Sequence, residues 1–97
     1  MNTLKKNFIY NVHFLIIEDG DIRHENYPFL LKKNADTFFK EKVKEEKKKV
    51  LHLEKTEEQT WVIEKEKGTI FTEYDMYRMF ASNIDRVTIR LEKLEIN

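Results

Sequence analysis

The side chains best suited to chemistry in this sequence are three histidines, His13, His24 and His52. An imidazole can ligate a metal or move a proton at neutral pH. The residue pattern places the three on three different strands. A two-residue loop at Asp19-Gly20 would set His13 opposite Asn26 and His24 opposite Leu15, so that these two share a face one strand step apart. A zinc site needs three or four ligands converging on one ion, and the nearby Asp21 and Glu25 complete no recognised ligand spacing. The run Asp19-Gly20-Asp21 with Glu25 also lacks the oxygen ladder of a calcium loop.

Three hydroxyl positions are worth testing as nucleophiles: Thr72, Ser82 and Thr88. Ser82 is the only serine and has no flanking glycine to build a strained elbow. Asp75, Asp85 and Glu57-Glu58 could divide acid and base roles only if burial split their pKa values. The pattern leaves them in water, at helix ends and in a turn. Neither catalytic residues nor a metal or other cofactor is expected, and the chain reads as a non-enzyme.

The sharpest local pattern is electrostatic. Lys40, Lys44 and Lys48 recur at i, i+4 and i+8, with Lys47 beside them. Like charges at that spacing destabilise an isolated helix by about 0.2–0.5 kcal/mol per pair. A ridge kept against that cost fits a contact surface for phosphate or for an acidic protein; a solvated face eased by Glu41 and Glu45 is the plainer reading. Tyr27 and Phe29 flank Pro28 beside Leu30, at a sheet edge, where exposed aromatics would serve as anchors in a partner's pocket or else fill the core.

Composition narrows the class. The 97 residues carry 18 Lys+Arg against 18 Asp+Glu, with 40% apolar and 12% aromatic residues. Absence of cysteine removes disulfides, thiol nucleophiles and cysteine zinc sites. Two glycines leave no Gly-rich phosphate loop. The longest apolar run, Phe14-Leu15-Ile16-Ile17, is far too short for a membrane helix, and the acidic stretch after it argues against a signal peptide. A cytoplasmic protein, in its own cell or in a host, is expected. Residues 1–50 carry 11 cations and 8 anions and residues 51–97 carry 7 and 10, so the halves differ in sign at +3 and −3. The excess of Lys, Ile and Asn over Ala, Gly and Arg fits an A/T-rich genome.

A single domain of residues 1–97 must position these groups. Phe8, Tyr10, Val12, Phe14 and Ile16 alternate along a first strand, 8–17. Asp19-Gly20 supplies a type I′ turn into a second strand at about 21–27, an edge strand because of Pro28. Asn34 caps a helix to about residue 49, with Ala35, Phe39, Val43, Glu46 and Val50 on an arc of about 80°. Residues 50–55 suit a longer helix or a strand; pairing of Leu51/Leu53 with Trp61/Ile63 across residues 56–59 is the expectation. Lys67-Gly68 turns into a short strand at 69–71. Thr72 and Asp75 resemble a capping pair for a second helix ended by Asn83, whose apolar arc runs from Tyr74 to Ile84. Val87, Ile89 and Leu91 face inward on a last strand, 86–96. The shift of phase to Leu94 and Ile96 calls for a bulge or for an end that leaves its sheet to meet a partner chain.

The expected fold is therefore α+β, a mostly antiparallel sheet in the order ββαβββαβ with two helices packed on one face. The function expected is a small protein-binding module that occupies a surface on a larger protein, an inhibitor or regulator of the kind phages and mobile elements encode. Self-association as a homodimer through an edge strand or the C-terminal segment fits the need to manage uncovered edges. The alternative is nucleic-acid binding through the lysine ridge with Arg86 and Arg90, which the zero net charge disfavours.

Overall fold

The computed structural model describes residues 7–57, 60–80 and 83–96. Six elements follow one another: β1 (Asn7–Glu18), β2 (Asp21–Phe29), α1 (Lys32–Glu57), β3 (Val62–Lys67), β4 (Phe71–Phe80) and β5 (Asn83–Ile96). The five strands form one antiparallel sheet in the order β2-β1-β5-β4-β3. The single helix crosses one face of it, from the end of β2 at one edge to the start of β3 at the other.

Alternation decides which face the helix covers. Val12 and Phe14 on β1, Ile89 on β5 and Met76 on β4 are buried on the inner face, and Tyr10, Ile16, Val87, Leu91 and Tyr74 pack around them. The helix contributes Ala35, Phe39, Val43 and Val50, all buried, from the arc read in the sequence. Asp19 and Gly20 both take positive φ, at 51° and 83°, as a type I′ loop requires. Glu18 then pairs with Asp21, and the register that sets His13 opposite Asn26 and His24 opposite Leu15 follows.

Four expectations are corrected. Residues 50–55 are helical, and α1 runs to Glu57; the spacing Phe39, Val43, Glu46, Val50, Leu53 continues the buried stripe, and that packing outweighs the strand pairing expected for Leu51 and Leu53. The helix also begins at Lys32, with the Ala35 amide donating to the Leu31 carbonyl at 3.2 Å, so Asn34 lies inside the first turn.

There is one helix, not two, and the order is ββαβββ. Residues 71–80 form β4 because Tyr74 and Met76 also alternate with Phe71, Glu73, Asp75 and Tyr77, and the aromatic and β-branched content favours a pleated surface. Asn83, expected to end that helix, opens β5, and Ser82 lies outside the described residues. Finally, the β1–β5 register is unbroken from Ile17↔Arg86 to Asn7↔Ile96, so β5 neither bulges nor leaves its sheet. Leu94 lies opposite Ile9 on the outer face instead, 42% exposed. No helix is long and apolar enough to cross a membrane among the described residues.

Met76 and Ile89 are fully buried where sheet and helix meet. Truncating either to alanine is expected to lower stability by about 2–5 kcal/mol, against less than about 0.5 kcal/mol for Ile22→Ala at the exposed edge; urea unfolding midpoints measure the difference.

Candidate functional site

The core stripe divides the rest of α1 into two flanks of different character. Toward β2 the lysines are matched by acids on the same helix: Lys42 pairs with Glu45 at 3.4 Å and Lys49 with Glu46 at 3.2 Å. Toward β3 lie Lys40, Lys44, Lys47 and Lys48, which make no ion pair among the described residues. Glu41 and Glu45 do not neutralise them.

The β3 side of the helix opens into a groove of about 510 Å³. The four ridge lysines form one wall, and Lys65 and Lys67 of β3 line the other side, with Asp36 as the only acid. Asp36 lies 3.8 Å from Lys32. The floor is apolar, built from Phe39, Val43, Tyr74 and Leu91, with Leu51 at the rim. Tyr74 ties the two walls together: the Lys47 ammonium sits 4.5 Å from its ring centroid and that of Lys65 5.4 Å. Cation–π contacts of this kind hold lysine stems against the floor and leave the ammonium able to meet an anion.

Lys65 and Lys67 are the members of this site that sequence reasoning missed. Their signal was the alternation in Val62-Ile63-Glu64-Lys65-Glu66-Lys67, which puts Ile63, Lys65 and Lys67 on the helix face and Glu64 and Glu66 on the other. It was hidden because a strand at 60–63 was paired with residues 51–53.

The other predicted contact residues lie elsewhere. Phe29 packs with Phe38 at 5.2 Å between ring centroids, and Tyr27 meets Phe38 at 4.9 Å and Phe14 at 5.6 Å. These aromatics close the core beneath the β2 flank of the helix. Tyr27 also lines a second cleft, of about 540 Å³, with Arg23 and Glu25 on β2 and Lys42, Glu45, Glu46 and Lys49 on α1. Its lining mixes both signs.

Arg86 and Arg90 are separated from the lysine ridge by the thickness of the sheet. Both lie on the outer face, where Arg90 donates to Glu73 at 3.0 Å and Arg86 lies 3.1 Å from Asp75. Asp75 also accepts from Thr88 at 3.0 Å, while on the helix face Asp85 holds Arg78 at 3.0 Å. Asp75 and Asp85 therefore sit within strands, not at helix ends, and are engaged by arginines. Asn11, buried on the outer face, donates to Asn26 at 3.0 Å and to Glu92 at 3.5 Å.

His13 and His24 do meet, with Nε2 of one 3.0 Å from Nδ1 of the other. Their ring planes differ by 16° and their centroids are 5.2 Å apart. The short nitrogen contact accounts for most of that separation beyond the ring radii, so the rings meet edge to edge rather than stacked face to face. One nitrogen donates and the other accepts. His52 is on the helix, not a strand, and no group of three metal-ligating side chains occurs among the described residues. No family model, curated protein or solved structure matches the chain.

Tyr27 donates to Glu25 at 2.6 Å. That hydrogen bond, reinforced by desolvation and the Glu25 charge, holds its pKa above the ordinary phenol value of 10.0. A phenol raised in this way adds stability that is complete below the unfolded pKa and is lost as pH climbs through the folded one. Glu25→Ala is expected to move the Tyr27 titration to lower pH, read from ring-carbon NMR shifts across the alkaline range.

Proposed function

We propose that this chain is a protein-binding module whose working surface is the lysine groove between α1 and β3, and that its partner presents an acidic, partly apolar segment to that groove. The observation that carries the reading is the convergence of six lysines from two separate elements on one groove with a single acid in its lining. Helix stability gives no reason to gather them, since each like pair along α1 is unfavourable. A chain of zero net charge has also concentrated positive charge here while Arg78, Arg86 and Arg90 each pair with an acid of the sheet away from the groove.

Charge complementarity selects an anion, and the floor selects its kind. Phe39, Val43, Tyr74 and Leu91 offer apolar contact beneath a cationic rim, an arrangement matched by a peptide that alternates acidic and apolar side chains. A phosphate backbone would leave that floor unused. The groove also contains no arginine, the residue that grips phosphate with two parallel hydrogen bonds. Occupying a partner's acidic surface in this way is the action of an inhibitor or regulator that performs no chemistry itself.

The test uses three probes: a Glu/Leu-alternating peptide, duplex DNA and single-stranded RNA, each titrated by fluorescence anisotropy at low and raised salt. The peptide is expected to bind and to weaken with salt, and Lys44→Glu/Lys65→Glu, which reverses charge on both walls, to abolish binding while the circular dichroism spectrum is kept. Tighter binding of either nucleic acid than of the peptide, with log affinity falling by about 0.7–0.9 per phosphate contact per log of salt, would replace this reading with a nucleic-acid one. Failure of all three probes to bind would refute it.

A further inference from the structure

The two edges of the sheet are built differently, and the difference identifies the occupant of one of them. β2 and β3 each leave one side of the backbone unpaired. In β2 the type I′ loop makes Glu18↔Asp21 a hydrogen-bonded pair, and alternation then turns the amides of Asp21, Arg23, Glu25 and Tyr27 toward β1. The amides of Ile22, His24 and Asn26 point to the open edge. Pro28 falls in the same outward set, so its missing N–H takes nothing from the β1 ladder.

We propose that the open edge of β2 takes a second copy of this chain, antiparallel about a two-fold axis at His24. In that register Arg23 of each copy lies directly opposite Glu25 of the other, and Ile22 opposite Asn26. Both ion pairs fall on the helix face, where Arg23 has no other charged partner within the described residues. Sliding the register by two residues sets Arg23 on Arg23 or Glu25 on Glu25, so the charges select one alignment. The two-fold leaves both helices on the same face of a continuous ten-stranded sheet.

The charged stretch of β3, Glu64 to Lys67, offers itself no such complement. Its outward amides belong to Ile63, Lys65 and Lys67, since the Gly68 amide donates to Phe71 across the β3–β4 turn at 2.8 Å. Centring the two-fold on residue 64, 65 or 66 places Glu64 on Glu64, Lys65 on Lys65 or Glu66 on Glu66. Like charges directly opposite are destabilising, and inward-pointing lysines are a recognised guard for an edge strand. One edge is closed to a second copy and the other complements it. This inference uses neither the lysine groove nor its partner.

Sedimentation equilibrium at about 100 µM, which populates any dimer with a Kd below that value, is expected to give twice the 11.9 kDa chain mass. Arg23→Glu and Glu25→Arg each convert both ion pairs to like pairs and are expected to weaken the dimer at least about tenfold. Combining them recreates the pairs with signs exchanged and is expected to restore it. Lys65→Glu is expected to leave the mass unchanged. Hydrogen exchange on the unaltered protein adds a readout independent of mutant folding: the amides of Ile22, His24 and Asn26 should slow as concentration rises. A monomer at that concentration, a dimer indifferent to both single reversals, or one broken by Lys65→Glu would overturn the proposal.

Discussion

One geometric constraint organises this molecule: a single helix must cover a five-stranded sheet. The outer strands of such a sheet lie about 19 Å apart at ordinary strand spacing, whereas a helix with its side chains is about 10–12 Å across. Full cover is impossible. The helix seats over the central strands, burying Val12, Phe14 and Ile89 against Ala35, Phe39, Val43 and Val50, and leaves a groove along each side. The character of those grooves then depends on which residues flank the buried stripe. Glutamates interleave with lysines toward β2, and lysines stand alone toward β3. Both surfaces follow from the placement of one helix.

Much of this was legible in the sequence where two signals agreed. Alternation from Phe8 to Ile16 and a turn residue pair at Asp19-Gly20 fixed the first hairpin and its register, down to the face that His13 shares with His24. Helical spacing from Ala35 to Val50 fixed the buried stripe of α1. The lysine ridge was visible because it follows the same periodicity. Legibility ended where periods compete. Tyr74, Met76, Tyr77 and Phe80 satisfy a broad helical arc as well as they satisfy a strand, and only the neighbouring β5, which supplies the ladder from Phe71↔Glu92 to Phe80↔Asn83, decides the matter. The misplaced β3 followed from the same competition at residues 50–55, and with it went Lys65 and Lys67, the groove's second wall.

The outer face is instructive for what it withholds. It gathers acids, arginines, a threonine and two histidines, the ingredients of many active sites, yet Glu73 and Asp75 are each engaged by an arginine. Cross-strand pairs of this kind stabilise a sheet by a few tenths of a kcal/mol to about 1 kcal/mol each, and they occupy the groups that a reaction would need free. Among the described residues, the lysine wall and Arg23 make no ion pair. Unspent charge marks the surfaces of this protein better than chemical type does.

The central ladder has a consequence for how the chain reaches its native state. β1 and β5, which sit side by side through eleven residue pairs, are separated by every other element in the sequence. Their joining closes a loop that spans nearly the whole described chain, and contacts of such long sequence separation slow folding. The β1–β2 hairpin and the β3–β4 hairpin can each form early from local turns, but the middle of the sheet stays unzipped until β5 arrives. Assembly from the margins inward, with the central strand β5 locking last, is the order this ladder favours.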